Sequence, residues 1–314
     1  MTPRWPNGKT FAFTLFDDTD LSTVANTGPI YELLTSLGMR VTKSIWTHNA
    51  VGKPHVGGDT CEDPAYRQWV LDLQRQGHEI ALHNAADQSS ERARTIEAFA
   101  RFESWFGAMP RTTASHSGNR DALYQGPERL SGMRRALYNI LTRRRHVGRF
   151  QGQEERSPYF WGDLCVGHVD YVRNFVFQDL NTLKSCPQMP YADATKPWSN
   201  AWFASSEAAT PAAFRKHVTI DAVKQLEAEG GACILYTHLG AGFYRAAQGG
   251  FTTGFREVIE YVASRPGWFV PVATLLDHLR QSAPDARPYP LTDEERRRLE
   301  WKWLLEKVSS GKTS

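Results

Sequence analysis

Short apolar runs alternate along the chain with stretches whose apolar residues recur at helical spacing. Residues 11–16 form the first run and predict a strand. Helical spacing follows at Ile30, Leu33, Leu34 and Leu37, with Gly38 as a stop. The alternation continues with a strand over 40–46, a helix over 64–76 that has Pro64 in its first turn and Gly77 at its end, and a strand over 79–82. A long helix over 90–106 closes at Gly107, and a fourth strand spans 111–115. The middle is less regular. Residues 160–166 and 174–177 read as strands, and 180–206, rich in Pro, Asn and aromatics, reads as loop. Regularity returns with a helix over 210–230, a buried strand over 232–236, a helix over 255–264 and a strand over 268–271, then helices over 274–281 and 293–308.

Strands that alternate with helices predict a parallel sheet covered by helices, hence the α/β class. About seven such units over some 280 residues suit a (β/α) barrel, seven-stranded or distorted, better than an open doubly wound sheet. The expected organisation is a barrel over residues 9–280 with a long insertion at about 125–206, followed by a C-terminal helical extension over 281–314. The first βα turn, Phe16-Asp17-Asp18-Thr19-Asp20, contains no glycine, and neither GxGxxG nor GxxxxGK[ST] occurs. Dinucleotide and P-loop classes therefore lack their phosphate cradle.

Composition narrows the picture a little further. A net charge of +3 is no electrostatic footprint for nucleic acid. Four cysteines, Cys61, Cys165, Cys186 and Cys233, stand far apart without metal-knuckle spacing. No stretch approaches the ~18 apolar residues of a membrane span, and residues 1–9 are polar, so the expected compartment is the cytoplasm. Arginines gather at 134, 135, 143, 144, 145 and 149. Such a run is a solvated helix face or a binding site for an anionic group. Tyr191, Trp198, Trp202 and Phe203 form either a sugar-stacking wall or a hydrophobic cover. The final helix, with Leu299, Trp301, Trp303, Leu304 and Leu305, packs back on the barrel or forms a homo-oligomer interface.

Reactive residues of a parallel barrel gather at the carboxyl ends of its strands. Here those ends carry Asp17-Asp18, Thr47-His48, His83 with Asp87 four residues on, His116, Asp179 and Thr237-His238. Singly, each has an ordinary reading: paired aspartates as turn formers, Asp87 as a helix cap, His48 as a surface loop residue. Jointly they form an Asp/His ring suited to a divalent ion, zinc first and cobalt, nickel or manganese next.

Three of these stretches carry a family resemblance. Phe13-Thr14-Leu15-Phe16-Asp17-Asp18, Gly77-His78-Glu79-Ile80-Ala81-Leu82-His83 and Ile234-Leu235-Tyr236-Thr237-His238 resemble, in order and spacing, the motifs of the polysaccharide deacetylase family (NodB-homology domain, carbohydrate esterase family 4). The resemblance implies a metal-dependent hydrolase that removes an N-acyl group, acetyl first, from an amino sugar or glycan precursor. It implies Asp17 as general base, Asp18 and His83 as metal ligands, and His238 as the acid that protonates the departing amine. Metal-activated water and a nearby carboxylate divide the work of attack. A histidine, with an ordinary pKa near ~6.5, can return the proton.

Two departures from the family pattern stand out. Asp87 occupies the position where the family has a second histidine, so the third ligand is Asp87 or, from the next strand, His116. The family's arginine-proline-aromatic third motif is replaced by Arg111-Thr112-Thr113-Ala114-Ser115-His116-Ser117-Gly118-Asn119-Arg120. There Arg120 is a candidate to orient Asp17, and Asn119 to touch substrate. The alternative functions are an amidohydrolase acting on a non-sugar amide or cyclic imide, and a non-catalytic glycan-binding barrel.

Overall fold

A computed structural model describes residues 3–283 and 285–310. Among them, seven parallel strands close a barrel: β1 (Phe11–Asp17), β2 (Thr42–Ile45), β3 (Glu79–Leu82), β4 (Thr112–Thr113), β5 (Tyr171–Phe177), β6 (Trp202–Glu207) and β7 (Ala232–Thr237). Closure comes from β7, which pairs with both β6 and β1. Every residue of β1 is buried, which explains why this strand is mostly apolar, interrupted only by Thr14 before Asp17, rather than alternating. Its register with β7 runs from Ala12 opposite Ala232 to Asp17 opposite Thr237. On its other side β1 changes neighbours. Phe11 and Ala12 pair with the short strand Gly267–Trp268, whereas Phe16 and Asp17 pair with Thr42 and Lys43 of β2. Lys43 is thereby set level with Asp17.

Helices cover the barrel. The first, Val24–Ser36, opens with a reciprocal capping box between Thr23 and Asn26. Asp63 caps Pro64–Arg75 through the amides of Ala65 and Tyr66. Arg92–Phe106 stops at left-handed Gly107. Most predicted elements appear with shifts of a few residues, and three readings are corrected. The 160–166 strand is instead the helix Gly162–His168. Gly162 belongs there for lack of space, since a Cβ would lie 2.5 Å from the Trp198 ring. The 180–206 loop contains a short helix, Thr182–Ser185, and a strand, Tyr191–Ala192, and it runs into β6. In β6 the sequence Trp-Phe-Ala-Ser-Ser-Glu lacks β-branched residues, and its serines are buried with their hydroxyls inside the barrel wall, Ser206 bonding Thr182 at 2.6 Å. The 210–230 helix is two helices, Pro211–His217 and Ile220–Ala228, the second capped by Thr219.

The C-terminal helix Asp293–Ser310 packs back on the barrel. Leu299, Trp303 and Leu304 are buried, and Trp303 lies 6.0 Å from Phe175 of β5 and 5.8 Å from Tyr138. Its fully buried Glu300 takes hydrogen bonds from Ser131 and Arg134. Arg134 of the arginine cluster is thus part of the fold. Residues 284 and 311–314 of the predicted extension lie outside the described residues. No helix among the described residues is long and apolar enough to cross a membrane.

Candidate active site

The β1 strand ends in a turn that carries three carboxylates in four residues, Asp17, Asp18 and Asp20. The turn is tied to the end of β7: the Asp18 amide donates to Thr237 at 2.8 Å, and Gly240 lies so close to Leu21 that a Cβ would sit 2.4 Å from its backbone. The strand ends therefore bring Asp17, Asp18 and His238 together, as the sequence predicts for residues more than 200 positions apart.

The three carboxylates meet different partners. Asp17 is fully buried. Its Oδ1 accepts from the Leu239 amide at 2.7 Å, and its Oδ2 accepts from the Tyr31 hydroxyl at 3.0 Å and faces the Lys43 ammonium at 3.0 Å. Burial raises its proton affinity above that of an ordinary aspartate, against the opposing pull of Lys43. Asp18 accepts two parallel hydrogen bonds from the Arg173 guanidinium, which itself lies 4.3 Å over the Tyr236 ring. Burial disfavours charge on Asp18, but Arg173 outweighs it and holds the carboxyl below its usual range. Asp20 has no lysine or arginine partner. Its Oδ1 lies 3.3 Å from His83 Nε2 and 3.5 Å from His116 Nε2, and its Oδ2 lies 3.3 Å from His238 Nε2. Burial of Asp20 is overcome by the two imidazoles of His116 and His83, and its pKa falls far below the carboxylate range.

His83 and His116 stand edge to face, 5.3 Å apart, both against the Trp46 ring. Together with Asp20 they offer ligand atoms within 4.8 Å of one another. Asp20 Oδ1, both ring nitrogens of His83 and Nδ1 of His116 are buried without a hydrogen-bond partner among the described residues. Such atoms normally find one. A borderline divalent ion fits this set of one carboxylate and two imidazoles, because it supplies what the orphaned atoms lack. Behind the cluster, Asn84 in a left-handed conformation accepts from the His116 amide at 2.6 Å and donates to Asp121 at 2.8 Å. Burial pushes Asp121 up to about 6.

Other predicted residues fall nearby but are otherwise engaged. Asp87 accepts from the amides of His55 and Val56, and its Oδ1 lies 3.9 Å from His116 Nε2. Asn119 is buried, donating to the Ala86 carbonyl at 3.3 Å, with Oδ1 unpartnered. Arg120 is exposed and lies 4.7 Å over the Tyr159 ring; the cation that faces Asp17 is Lys43. His48 is not on the surface: it is buried beside Thr47 and lies 3.4 Å from Glu97. Tyr191, Trp202 and Phe203 are buried and serve as cover.

Asp20, Lys43 and Arg173 escaped the sequence reading. A signal existed for each. Asp20 is the third acid of one turn, and Lys43 and Arg173 are the lone cations of two strands whose residues are mostly buried.

Comparison with known proteins returns a fold. No protein-family model and no curated protein matches the sequence. Among solved structures, PuuE allantoinase superposes with a TM-score of 0.52 at 14% identity, covering 90% of this chain and 95% of the other. A probable polysaccharide deacetylase from Pseudomonas aeruginosa PAO1 superposes with a TM-score of 0.50 at 13% identity, again over 90% and 95%. The chain thus shares the barrel fold of these two proteins.

Proposed function

We propose that this protein is a divalent-metal-dependent hydrolase of C–N bonds that removes an N-acyl group, acetyl first, from an amino sugar or glycan precursor. One observation carries the reading: the cluster of Asp20, His83 and His116 presents ligand atoms within 4.8 Å of one another, and four of its polar atoms are buried without partners. Asp20, His83 and His116 would hold the ion, with zinc first and cobalt, nickel or manganese as substitutes. Asp18 and Asp87 border the cluster; to bind the ion they would have to leave Arg173 and the amides of residues 55 and 56. A divalent ion there would bring the pKa of a water towards ~7 and polarise an amide carbonyl.

The chain's own residues supply the proton chemistry. Asp17 takes the proton of the attacking water, and Lys43 and Tyr31 hold its orientation. His238, partly exposed, donates to the departing nitrogen; the Tyr236 hydroxyl at 3.1 Å and Asp20 at 3.3 Å fix its ring. The Asp17 bond to the Leu239 amide ties the two groups, because Leu239 directly follows His238.

The test measures metal content together with acetate release from N-acetylated amino sugars, before and after chelation. Asp17→Asn and His238→Ala should each lower the rate by about 10²–10⁴-fold while the chain retains its ion. Full activity in both variants would overturn the mechanism. Glycan binding without turnover would leave a non-catalytic barrel. A second reading, hydrolysis of a non-sugar amide or cyclic imide by proton transfer without an ion, draws on the Asp18–Arg173 pair, which removes one carboxylate from those available to a metal. Turnover of such an amide by metal-free protein would favour it.

A further inference from the structure

The arginine-rich segment after β4 carries an exposed apolar face that the hydrolytic site does not use. The helix Gly132–Leu141 turns Arg134 and Tyr138 inward, towards Glu300 and Trp303. Its outer side shows Met133, 75% exposed, Leu137, 36%, Ile140, 72%, and Leu141, 47%. At the helical repeat these four positions fall within an arc of about 100°, and no charged residue lies in it. Val147, 43% exposed, follows just beyond. A protein surface seldom leaves so many large apolar residues together in water without a partner.

Charge identifies the kind of partner. The segment contains six arginines and no acidic residue from Gly132 to Gln153. Three arginines have work within the fold: Arg134 bonds Glu300, Arg135 meets Glu128 at 2.6 Å, and Arg149 donates to the Gly118 carbonyl. Arg143, Arg144 and Arg145 are exposed and have no carboxylate partner among the described residues. Left-handed backbone at Arg143 (φ 50°) and Arg144 (φ 57°) turns the chain immediately after the apolar arc. A second copy of this face would offer the triad no acidic residue, since none occurs from Gly132 to Gln153, whereas an anionic surface would neutralise it.

We infer that the face formed by Met133, Leu137, Ile140 and Leu141 with Arg143–Arg145 docks on an anionic lipid surface. The apolar arc enters the boundary between headgroups and acyl chains, and the triad meets the lipid phosphates. Arg149, through the Gly118 carbonyl, ties this segment to the loop that carries His116.

Co-sedimentation of the full chain with phosphatidylcholine vesicles, with and without phosphatidylglycerol, tests this. Binding is expected only with phosphatidylglycerol and should be lost at high salt. The triple substitution Arg143→Ser, Arg144→Ser, Arg145→Ser should lower partitioning by about a hundredfold. Met133→Ser with Ile140→Ser should lower it at unchanged salt dependence. All five positions are exposed, so thermal melting should be unchanged in both variants and reports that they fold. Absence of binding to anionic vesicles at low salt, or binding that neither variant alters, would overturn the inference. So would a concentration-dependent dimer abolished by the Met133 and Ile140 substitutions, or capture of the face by an acidic protein with no affinity for vesicles. Hydrolytic activity does not enter the readout, so this inference and the proposed reaction fail separately.

Discussion

Asp17 and Asp20 stand three residues apart in one turn, yet their surroundings are opposites. Asp17 lies beside a lysine and accepts from a hydroxyl and an amide as well, so both of its oxygens are satisfied by the fold itself. Asp20 faces only imidazoles, and its Oδ1 finds no hydrogen-bond partner. A carboxylate with a permanent cation is neutralised as the chain folds. A carboxylate among imidazoles has a compensation that depends on what binds there. The same residue type on the same turn therefore serves architecture and proton chemistry at one position and invites a ligand at the other.

The sharpest way to break the contrast is to remove the permanent cation. Lys43→Met leaves a buried carboxylate unpaired and should cost about 3–5 kcal/mol in urea unfolding. Adding Asp17→Asn to it should restore part of the loss, and a double variant no more stable than the single one would count against the pairing. The next effect is a pH dependence behind the cluster. Burial raises Asp121 to about 6 from 3.8, so between those values the folded state binds more protons than the unfolded one. Stability gained at acid pH is then lost as pH rises from about 4 to about 6, by roughly 3 kcal/mol at ~1.36 kcal/mol per unit. Unfolding at fixed pH values should show this decline in the wild type and not in Asp121→Asn.

On the side of Asp20, divalent ion in hundredfold excess over its dissociation constant should stabilise the wild type by about 2.7 kcal/mol. His83→Ala with His116→Ala should abolish that gain, and an equal zinc-induced shift in the double variant would discard this ligand set. The smallest effect belongs to an ion pair outside the site. Arg92 and Asp163 form two good hydrogen bonds, but both are more than a third exposed. Arg92→Ala should cost only about 0.2–1 kcal/mol in the same unfolding assay. A cost as large as that of Lys43→Met would remove burial as the reason the pairs differ.

How much of this was legible in the sequence depends on whether the signal was local. Strands β1, β3 and β7 end in Asp17-Asp18, His83 and His238, and their apolar runs and terminal polar residues are adjacent in the chain. Reading them was enough to expect a barrel and to bring His238 to Asp17. Strand β6 was missed because its identity rests on burial from both sides, with two small serines of which Ser206 bonds another segment. The helix Gly162–His168 was missed because Gly162 is explained by the approach of Trp198, 36 positions away. The pairing of the carboxylates was equally hidden. Lys43 reaches Asp17 through the register of β2 on β1, and Arg173 crosses from β5 to Asp18. No pattern along the chain states either fact. The arginine cluster shows the same limit: one stretch holds Arg134, buried against Glu300, and Arg143–Arg145, free in solvent.

The crowded turn after β1 has a bearing on how related chains should be compared. Which of its carboxylates remains to receive an ion is decided by residues on other strands. Position 173 settles whether Asp18 is already neutralised, and position 43 does the same for Asp17. In an alignment of relatives, those positions should covary with 18 and 17, since each couple is a physical contact. A chain with an uncharged residue at 173 would have Asp18 free for an ion and less need of Asp20. Divergence of the site would then be recorded in coupled pairs, at positions 43 and 173 on β2 and β5 together with the aspartates they face.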